Sequence, residues 1–322
     1  MTLNAAQATG PATLRARLQA IRYLAEGIHA YEFVACDGAA LPPFTAGAHV
    51  DLHLPNGLVR QYSLCNPQDE RHRYVVGIKR DPASRGGSSH AHDHLKVGTV
   101  LHVSAPRNHF ALHEEATHTV LVAGGIGVTP IACMAQRLRA LGRPFTLHYG
   151  VRRREDAAFL DVLSGLELRL HVDAEHGNAP MDVRSVVGAA PAGAHLYCCG
   201  PGPMLDAFEA ACAARPPAQV HVERFAAVAP PAAEGGYTVQ LARTGRSVFV
   251  RPGCTILDAL RADGLDVPAS CEQGICGTCE TRVLSGTPDH RDALLSDEEK
   301  QAGKAMMVCC SGSKSSVLVL DL

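Results

Sequence analysis

"CEQGICGTCE", residues 271–280, places three cysteines in one short segment. Four residues separate Cys271 from Cys276, two separate Cys276 from Cys279, and Cys309 follows after 29 more. Three thiolates converging from one loop demand sharp bends. Gly274 and Gly277 permit them and let backbone N–H groups approach sulfur. C-x4-C-x2-C with a distant fourth cysteine is a [2Fe–2S] spacing, the last ligand coming from a separate strand. Zinc sites favour two short cysteine pairs and suit this spacing poorly. "MMVCCSG" (306–312) offers both Cys309 and Cys310. Neighbouring strand residues point to opposite faces, so only one reaches the cluster, and Cys309 is the choice that leaves the 29-residue gap.

The flanking sequence agrees. "YTVQLARTGRSVFV" (237–250) alternates as two strands around a turn at Thr244–Gly245. "TILDALRADG" (255–264) is a short helix with Thr255 as cap, Asp258 at the capping-box position and Gly264 at its end. "VLVLDL" closes the chain as a strand. Residues 237–322 thus resemble a plant-type ferredoxin, an α+β (β-grasp) domain. Before it, "AAVAPPAAEGG" (226–236) is expected to be a linker with little to pack.

The whole chain has 322 residues, 46% of them apolar, enough for several cores. A formal net charge of −2 gives no reason to expect nucleic acid. No apolar run approaches the ~20 residues of a membrane span, and "MTLNAAQATG" lacks the pattern of a signal peptide. A cytoplasmic protein is expected, in which twelve cysteines are not a disulfide framework.

Strands and helices alternate from about 116 to 225, the pattern of a parallel α/β sheet with right-handed crossovers. The expected strands are "HTVLVAGG", "FTLHYGV", "LELRLHVD", "AHLYCCG" and "VHVERF". The expected helices are "TPIACMAQRLRALG", capped by Thr129, then "REDAAFLDVLSG", "MDVRSVVG" and "PGPMLDAFEAACAAR". "GGIGVTP" (124–130) follows the first strand; its glycines either admit a pyrophosphate to a helix N-terminus or make a plain turn. "CGPGPM" (199–204) follows the fourth strand. In a 3-2-1-4-5 sheet, strands 1 and 4 are neighbours, so both glycine loops border the switch-point crevice where a dinucleotide lies. Cys199 is there either a small, polarizable wall for a nicotinamide or an ordinary strand-end cysteine.

Residues 11–112 read as six strands without helical periodicity: "TLRARLQAIRYLA", "IHAYEFVAC", "HVDLHLP", "VRQYSLC", "RYVVGIKR" and "TVLHVSAP". A small antiparallel β-barrel follows. "RQYSL" (60–64) sets Arg60, Tyr62 and Leu64 on one face. "RGGSSH" (85–90) gathers phosphate donors. Taken singly, each is better read as a plain strand or a solvated loop, and so are the three histidines of "HAHDH" (90–94).

The order "RQYSL", "RGGS", "GGIGVTP", "YGVRRREDAAF", "CGPGPM", "HVERF" and a C-terminal ferredoxin resembles the phthalate dioxygenase reductase family, which includes vanillate demethylase reductases. The resemblance implies a multidomain chain: an FMN-binding barrel (1–113), an NAD-binding α/β domain (114–226), a linker (227–236) and a [2Fe–2S] ferredoxin (237–322). It implies that Tyr62 lies against the isoalloxazine, Ser63 near its N5, and Arg60 on the phosphate, with Lys79, Gly86, Gly87, Ser88 and Ser89 completing the FMN contacts. Gly124, Gly125, Gly127 and Thr129 would hold the NADH pyrophosphate. Cys199, Gly200 and Pro201 would face the nicotinamide, and Glu223 and Phe225 would close over the flavin. Cys271, Cys276, Cys279 and Cys309 would hold the cluster.

The implied activity is an NADH-dependent reductase that passes electrons through FMN and the cluster to a terminal Rieske-type oxygenase acting on an aromatic acid. Three consecutive arginines, Arg152 to Arg154, leave NADPH open, although Glu155 and Asp156 follow at once. A non-enzymatic NAD/iron–sulfur sensor and a reductase of a di-iron monooxygenase are the other readings. The first needs no flavin motif; the second usually carries its ferredoxin at the N-terminus.

Overall fold

A computed structural model describes residues 13–82, 84, 86–227 and 229–322; the stretch "MTLNAAQATG" and Arg85 of "RGGSSH" lie outside the described residues. The chain divides into two compact units, Thr13–Phe225 and Ala226–Leu322.

The first unit opens with the six expected strands: β1 (Thr13–Ala25), β2 (Ile28–Ala35), β3 (His49–His53), β4 (Val59–Ser63), β5 (Tyr74–Lys79) and β6 (Val100–Ser104). They pair antiparallel in the order β4-β3-β6-β1-β2-β5. A bridge between Leu64 and Val76 joins the two ends, and Cys65 N donates to Val75 O at 2.8 Å. The sheet is therefore closed into a barrel, with Leu18, Phe33, Val50, Leu52, Val76, Ile78 and Val103 buried.

Five strands follow: β7 (Thr119–Gly124), β8 (Phe145–Val151), β9 (Leu168–Val172), β10 (His195–Cys199) and β11 (Val220–Glu223). All pair parallel in the order β11-β10-β7-β8-β9, the expected switch-point topology. β7 is buried along its whole length, as a central parallel strand should be. Barrel and sheet share one continuous apolar core. Gly77 of β5 is where they meet. A Cβ there would stand 2.7 Å from Thr129 Cγ2 and 2.9 Å from Phe159 Cε2, so only glycine lets the layers approach.

Three local expectations fail in this unit. Residues 87–94 are a helix, α1 (Gly87–His94), begun by Gly86 at φ 86°. "GSSHAHDH" has no apolar stripe to announce it; Ala91 is fully buried and sits under Tyr31, whose hydroxyl donates to Ala91 O at 3.2 Å. Thr129 does not cap the next helix, α2 (Val128–Ala140): it lies in the first turn and donates its hydroxyl to Ile126 O at 2.9 Å. "REDAAFLDVLSG" is not an α-helix. A single 3-10 turn, Arg154–Asp156, leads into extended and turn backbone with Phe159 at φ 61°. Phe159 and Ala158 are buried, and Tyr149 Oη accepts from Ala158 N at 3.1 Å, so packing against the barrel overrides helix propensity. The helices α3 (Val183–Ala189), capped by Asp182, and α4 (Gly202–Ala211) form as expected.

The second unit is the expected β-grasp. Its strands are β12 (Tyr237–Leu241), β13 (Ser247–Val250), β14 (Glu280–Ser285), β15 (Pro288–Asp289), β16 (Ala305–Met307), β17 (Gly312–Ser313) and β18 (Val317–Leu320). The main sheet runs β13-β12-β18-β14-β16, with β12 and β18 parallel at its centre. The helices are α5 (Ile256–Ala262) and α6 (Asp297–Ala302). Thr255 and Asp258 form the expected reciprocal cap at 3.1 Å each way, and Gly264 follows α5 at φ 78°. The expected linker is corrected. Ala232 is buried and its N–H reaches Cys310 O at 2.7 Å; Gly253 N donates to Ala233 O at 2.7 Å and Gly236 N to Val250 O at 2.8 Å. Small residues here fit against the sheet end where larger ones would clash, so the segment from Ala232 onward is packed. No helix among the described residues is long and apolar enough to cross a membrane.

Candidate functional site

Arg60 and Tyr62 both lie on β4, and α1 begins beside Arg60. A Cβ at Gly87 would stand 2.4 Å from Arg60 Nε and 2.8 Å from Arg60 Cγ, so the arginine stem lies across the helix start. A helix N-terminus, a guanidinium and a glycine that keeps them close suit a terminal phosphate. Ser88 Oγ accepts from Asp81 N at 3.1 Å, and Ser84 Oγ accepts from Ser89 N at 3.3 Å; both hydrogen bonds tether the helix to the preceding turn. Burial pushes the Tyr62 phenol up to about 12 although Arg60 opposes it, so the ring is a neutral, amphipathic wall. Lys79 ends β5 exposed, close enough to Asp156 to help lower that carboxyl.

The two glycine loops meet. Gly124 ends β7, and the 3-10 turn Gly125–Gly127 leads straight into α2. A Cβ on Gly127 would stand 2.1 Å from Cys199 O, and one on Gly124 would stand 2.7 Å from Pro201 Cδ. Gly200 lies 3.2 Å, measured from its own Cβ position, from Gly124 Cα. Gly125, at φ 53°, has open space around it. Backbone of the two loops thus comes close across the crevice between β7 and β10, with open space left at Gly125, which suits a pyrophosphate. Met204, the last residue of "CGPGPM", fills the far side against Gly124, Gly150 and Gly200.

Ser63, Glu223 and Cys199 come together from the ends of β4, β11 and β10. Cys199 and Glu223 are parallel-sheet partners, and the Ser63 hydroxyl donates to the Glu223 carboxyl. Burial pushes Glu223 up to about 8, with the Ser63 bond pulling the other way, so it holds its proton at neutral pH. Its Oε2 is buried without a partner. Burial, reinforced by Glu223 and Cys198, raises the Cys199 thiol far above its ordinary value, so Cys199 stays a neutral wall. Phe225, two residues beyond Glu223, is 40% exposed.

Arg152 to Arg154 follow β8. Arg153 pairs with Asp156 at 2.8 Å and Glu155 at 3.0 Å, and Arg154 with Glu175 at 2.8 Å; no ion pair of Arg152 is found among the described residues. Glu155 and Asp156, the acidic pair that follows the arginines, are thus both held by Arg153. In α1, His92 Nε2 meets Ile78 O at 2.9 Å and stacks against His29, while His90 and His94 pair at 4.7 Å.

In the second unit, Cys271, Cys276, Cys279 and Cys309 are all buried; the Cys271 thiol meets those of Cys276 and Cys309, and the Cys309 thiol also meets those of Cys279 and Cys310. Four buried cysteine thiols gathered at one loop and one neighbouring segment are a donor set that fits a [2Fe–2S] cluster. The loop turns on Glu272 (φ 53°), Gly274 (φ 70°) and Gly277 (φ 72°). Gln273 N points at Cys271 Sγ from 3.3 Å, and Cys276 Sγ lies 3.2 Å from Thr278 Oγ1. Cys310 Sγ turns to Met307 O at 3.7 Å and Ser311 Oγ at 3.9 Å, and it occupies the space a Cβ on Gly274 would take.

The 2Fe-2S iron-sulfur cluster binding domain family matches residues 239–313. Phenoxybenzoate dioxygenase subunit beta of Ectopseudomonas oleovorans is 54% identical over 99% of this chain and 100% of its own length. A vanillate O-demethylase oxidoreductase of Pseudomonas sp. (strain HR199 / DSM 7063) is 44% identical over 95% of this chain and 98% of its own. The solved structure of phthalate dioxygenase reductase, described as a modular structure for electron transfer from pyridine nucleotides to [2Fe–2S], is 42% identical and covers 96% of this chain and 98% of its own, with a TM-score of 0.74. With the barrel, the switch-point crevice and the cysteine loop in one chain, this protein is an oxidoreductase that belongs to the phthalate dioxygenase reductase family.

Proposed function

We propose that this chain is the NADH-dependent reductase component of a Rieske-type oxygenase system acting on an aromatic compound, holding FMN and one [2Fe–2S] cluster and working in the cytoplasm. The meeting of Ser63, Glu223 and Cys199 at the mouth of the β7–β10 crevice supports the reading, because a ring held on the barrel and a dinucleotide in the crevice would face each other there. When bound, the flavin accepts the two electrons of a hydride together and the cluster passes them on singly.

The chain's own work is placement. Arg60 and the start of α1 neutralise the FMN phosphate. Tyr62 covers the ring as a neutral phenol. Gly124, Gly125, Gly127 and the α2 N-terminus take the pyrophosphate. Gly200 and Pro201 hold the nicotinamide end, Cys199 excludes water there, and Ser63 keeps the protonated Glu223 carboxyl in place. Closing this pocket to water strengthens each of these contacts. Cys271, Cys276, Cys279 and Cys309 hold the cluster, with backbone N–H groups of the loop turned to sulfur.

Chromatography of the flavin released on denaturation should show FMN, and kcat/KM should favour NADH over NADPH at least about tenfold, a difference of ~1.4 kcal/mol. FAD as the main species, or equal use of both nucleotides, would overturn those assignments.

A further inference from the structure

The cysteine loop is backed by a second segment of the same unit, residues 288–295. Pro288 and Asp289 pair with Ser313 and Gly312 as β15 and β17. Arg291 N donates to Ser311 Oγ at 3.3 Å, and Ala293 N donates to Gly274 O at 3.0 Å. A Cβ on Gly274 would stand 2.5 Å from Cys310 Sγ and 2.9 Å from Asp292 Cα, so Asp292 lies directly against the loop that carries Cys271 and Cys276. Its side chain is fully buried. Oδ2 accepts from Leu294 N at 3.2 Å and from Leu295 N at 2.9 Å, which fixes the carboxylate in place. Oδ1 has no hydrogen-bond partner among the described residues. His290 Nδ1 is 3.5 Å away, and neither ring nitrogen of His290 has a hydrogen-bond partner among them. The neighbouring cations are engaged elsewhere. Arg291 pairs with Asp289 at 2.7 Å and with Glu234 at 3.4 Å, Lys314 with Asp289 at 3.9 Å, and Arg261 with Glu272 at 2.7 Å.

Buried polar atoms without partners are uncommon, and three of them at one place call for a role. A carboxylate oxygen with no donor on it, away from water, acts on its surroundings with little screening. Asp292 acts electrostatically on Cys310, which is next in sequence to Cys309 and packs on Gly274 of the cysteine loop. The charge therefore sits between the two parts of the chain that supply the four thiolates. The reduction potential of an iron–sulfur cluster is set by the net charge and hydrogen bonds around it. Uptake of one electron adds one negative charge to the group that the thiolates hold, and a fixed negative charge alongside opposes that step. We propose that Asp292 tunes the cluster of this chain: its uncompensated carboxylate lowers the reduction potential, so the reduced form gives its electron to the partner more readily. The inference rests on the function proposed above. One electron arrives from the flavin and the same electron leaves for the partner. Asp292 exchanges neither a proton nor an electron and changes only the level at which that electron is held. His290 leaves the charge on Oδ1 uncancelled, because it makes no hydrogen bond to it.

The test is a redox titration of the intact holoprotein with dithionite and mediators at one fixed pH and ionic strength. Electron paramagnetic resonance reports the reduced cluster. Asp292→Asn keeps a side-chain oxygen for Leu294 N and Leu295 N and removes the charge. Its reduction equilibrium should shift at least about tenfold toward the reduced cluster, a rise of ~59 mV for one electron, with the melting temperature and the visible spectrum of the parent. A purely structural role would move the melting temperature and leave the potential in place. His290→Lys leaves Asp292 intact and brings a cation to Oδ1, and it should raise the potential as well. Asp297→Asn removes an exposed carboxylate of the same unit, which solvent screens, and should leave the potential unchanged. An Asp292→Asn protein whose cluster titrates at the parent potential, or below it, overturns the proposal. Where that variant holds no cluster, His290→Lys decides, and a potential at or below the parent's overturns it. If NADH reduces neither flavin nor cluster in the parent protein, the underlying functional reading fails instead, while the dithionite titration still tests Asp292.

Discussion

Gly127→Ala isolates the contact between the two glycine loops. Gly127 has ordinary helical backbone, φ −61° and ψ −7°, so alanine there brings no backbone strain. Its new Cβ, however, would stand 2.1 Å from Cys199 O and 2.4 Å from Cys199 C, against 3.4 Å or more for ordinary contact. Both are backbone atoms of a buried central strand, so α2 and β10 must separate by more than an ångström at the crevice. Overpacking of this kind costs about 1–3 kcal/mol of stability, and an ångström of misplacement costs about 100-fold in rate. The assay is NADH–ferricyanide reduction with the cluster spectrum recorded alongside. kcat/KM for NADH should fall about 100-fold while the visible spectrum of the cluster, held in the other unit, is unchanged. Gly142→Ala is the control: it faces open space at φ 64°, so it should cost about 1 kcal/mol of strain and leave NADH use intact. An enzyme with Gly127→Ala that oxidises NADH at the parent kcat/KM would refute the loop geometry as the nucleotide's seat.

Cys309→Ser should lose or badly destabilise the cluster, whereas Cys310→Ser should keep its absorbance, because Cys309 leaves the 29-residue gap of the motif and meets both Cys271 and Cys279, while Cys310 contacts Cys309 and Met307 O; visible spectra of the two variants decide it. Glu223 holds its proton to about 8 in the folded chain against 4.5 ordinarily, so the native state binds more protons across that window and stability is lost as pH rises through it. Glu223→Gln should flatten that decline, by a few kcal/mol at most (about 1.4 per unit of pH), in denaturant melts at pH 5 and 8.5. A chain ending at Ala226 should fold, since Thr13–Phe225 is compact by itself. It should still reduce ferricyanide with NADH but should fail to drive the partner oxygenase.

Residues that act through spacing or backbone are legible in the amino-acid sequence itself. The cysteine loop, the alternating strands of the barrel and the 3-2-1-4-5 order each follow from local pattern, and the Thr255–Asp258 cap from two residues. What local pattern does not carry depends on long-range packing. The helix at 87–94 forms on the barrel without a periodic apolar face, and Phe159 leaves helical backbone to reach Gly77. Ala232 reads as linker because alanine and proline are featureless in sequence, yet a small residue is what fits against Gly312. In the site, a family resemblance marks Ser63, Cys199 and Glu223 one by one. Their meeting depends on pairings distant in sequence, such as the register of β10 on β11.

In the proposed relay, electrons from NADH reach the cluster only through the flavin. The most direct test strips the flavin from the protein, mixes it anaerobically with NADH and follows cluster absorbance in a stopped-flow instrument. The cluster should stay oxidised until FMN is restored, after which flavin bleaching should precede cluster bleaching. Cluster reduction by NADH in the flavin-free protein, or none after FMN is restored, would contradict it.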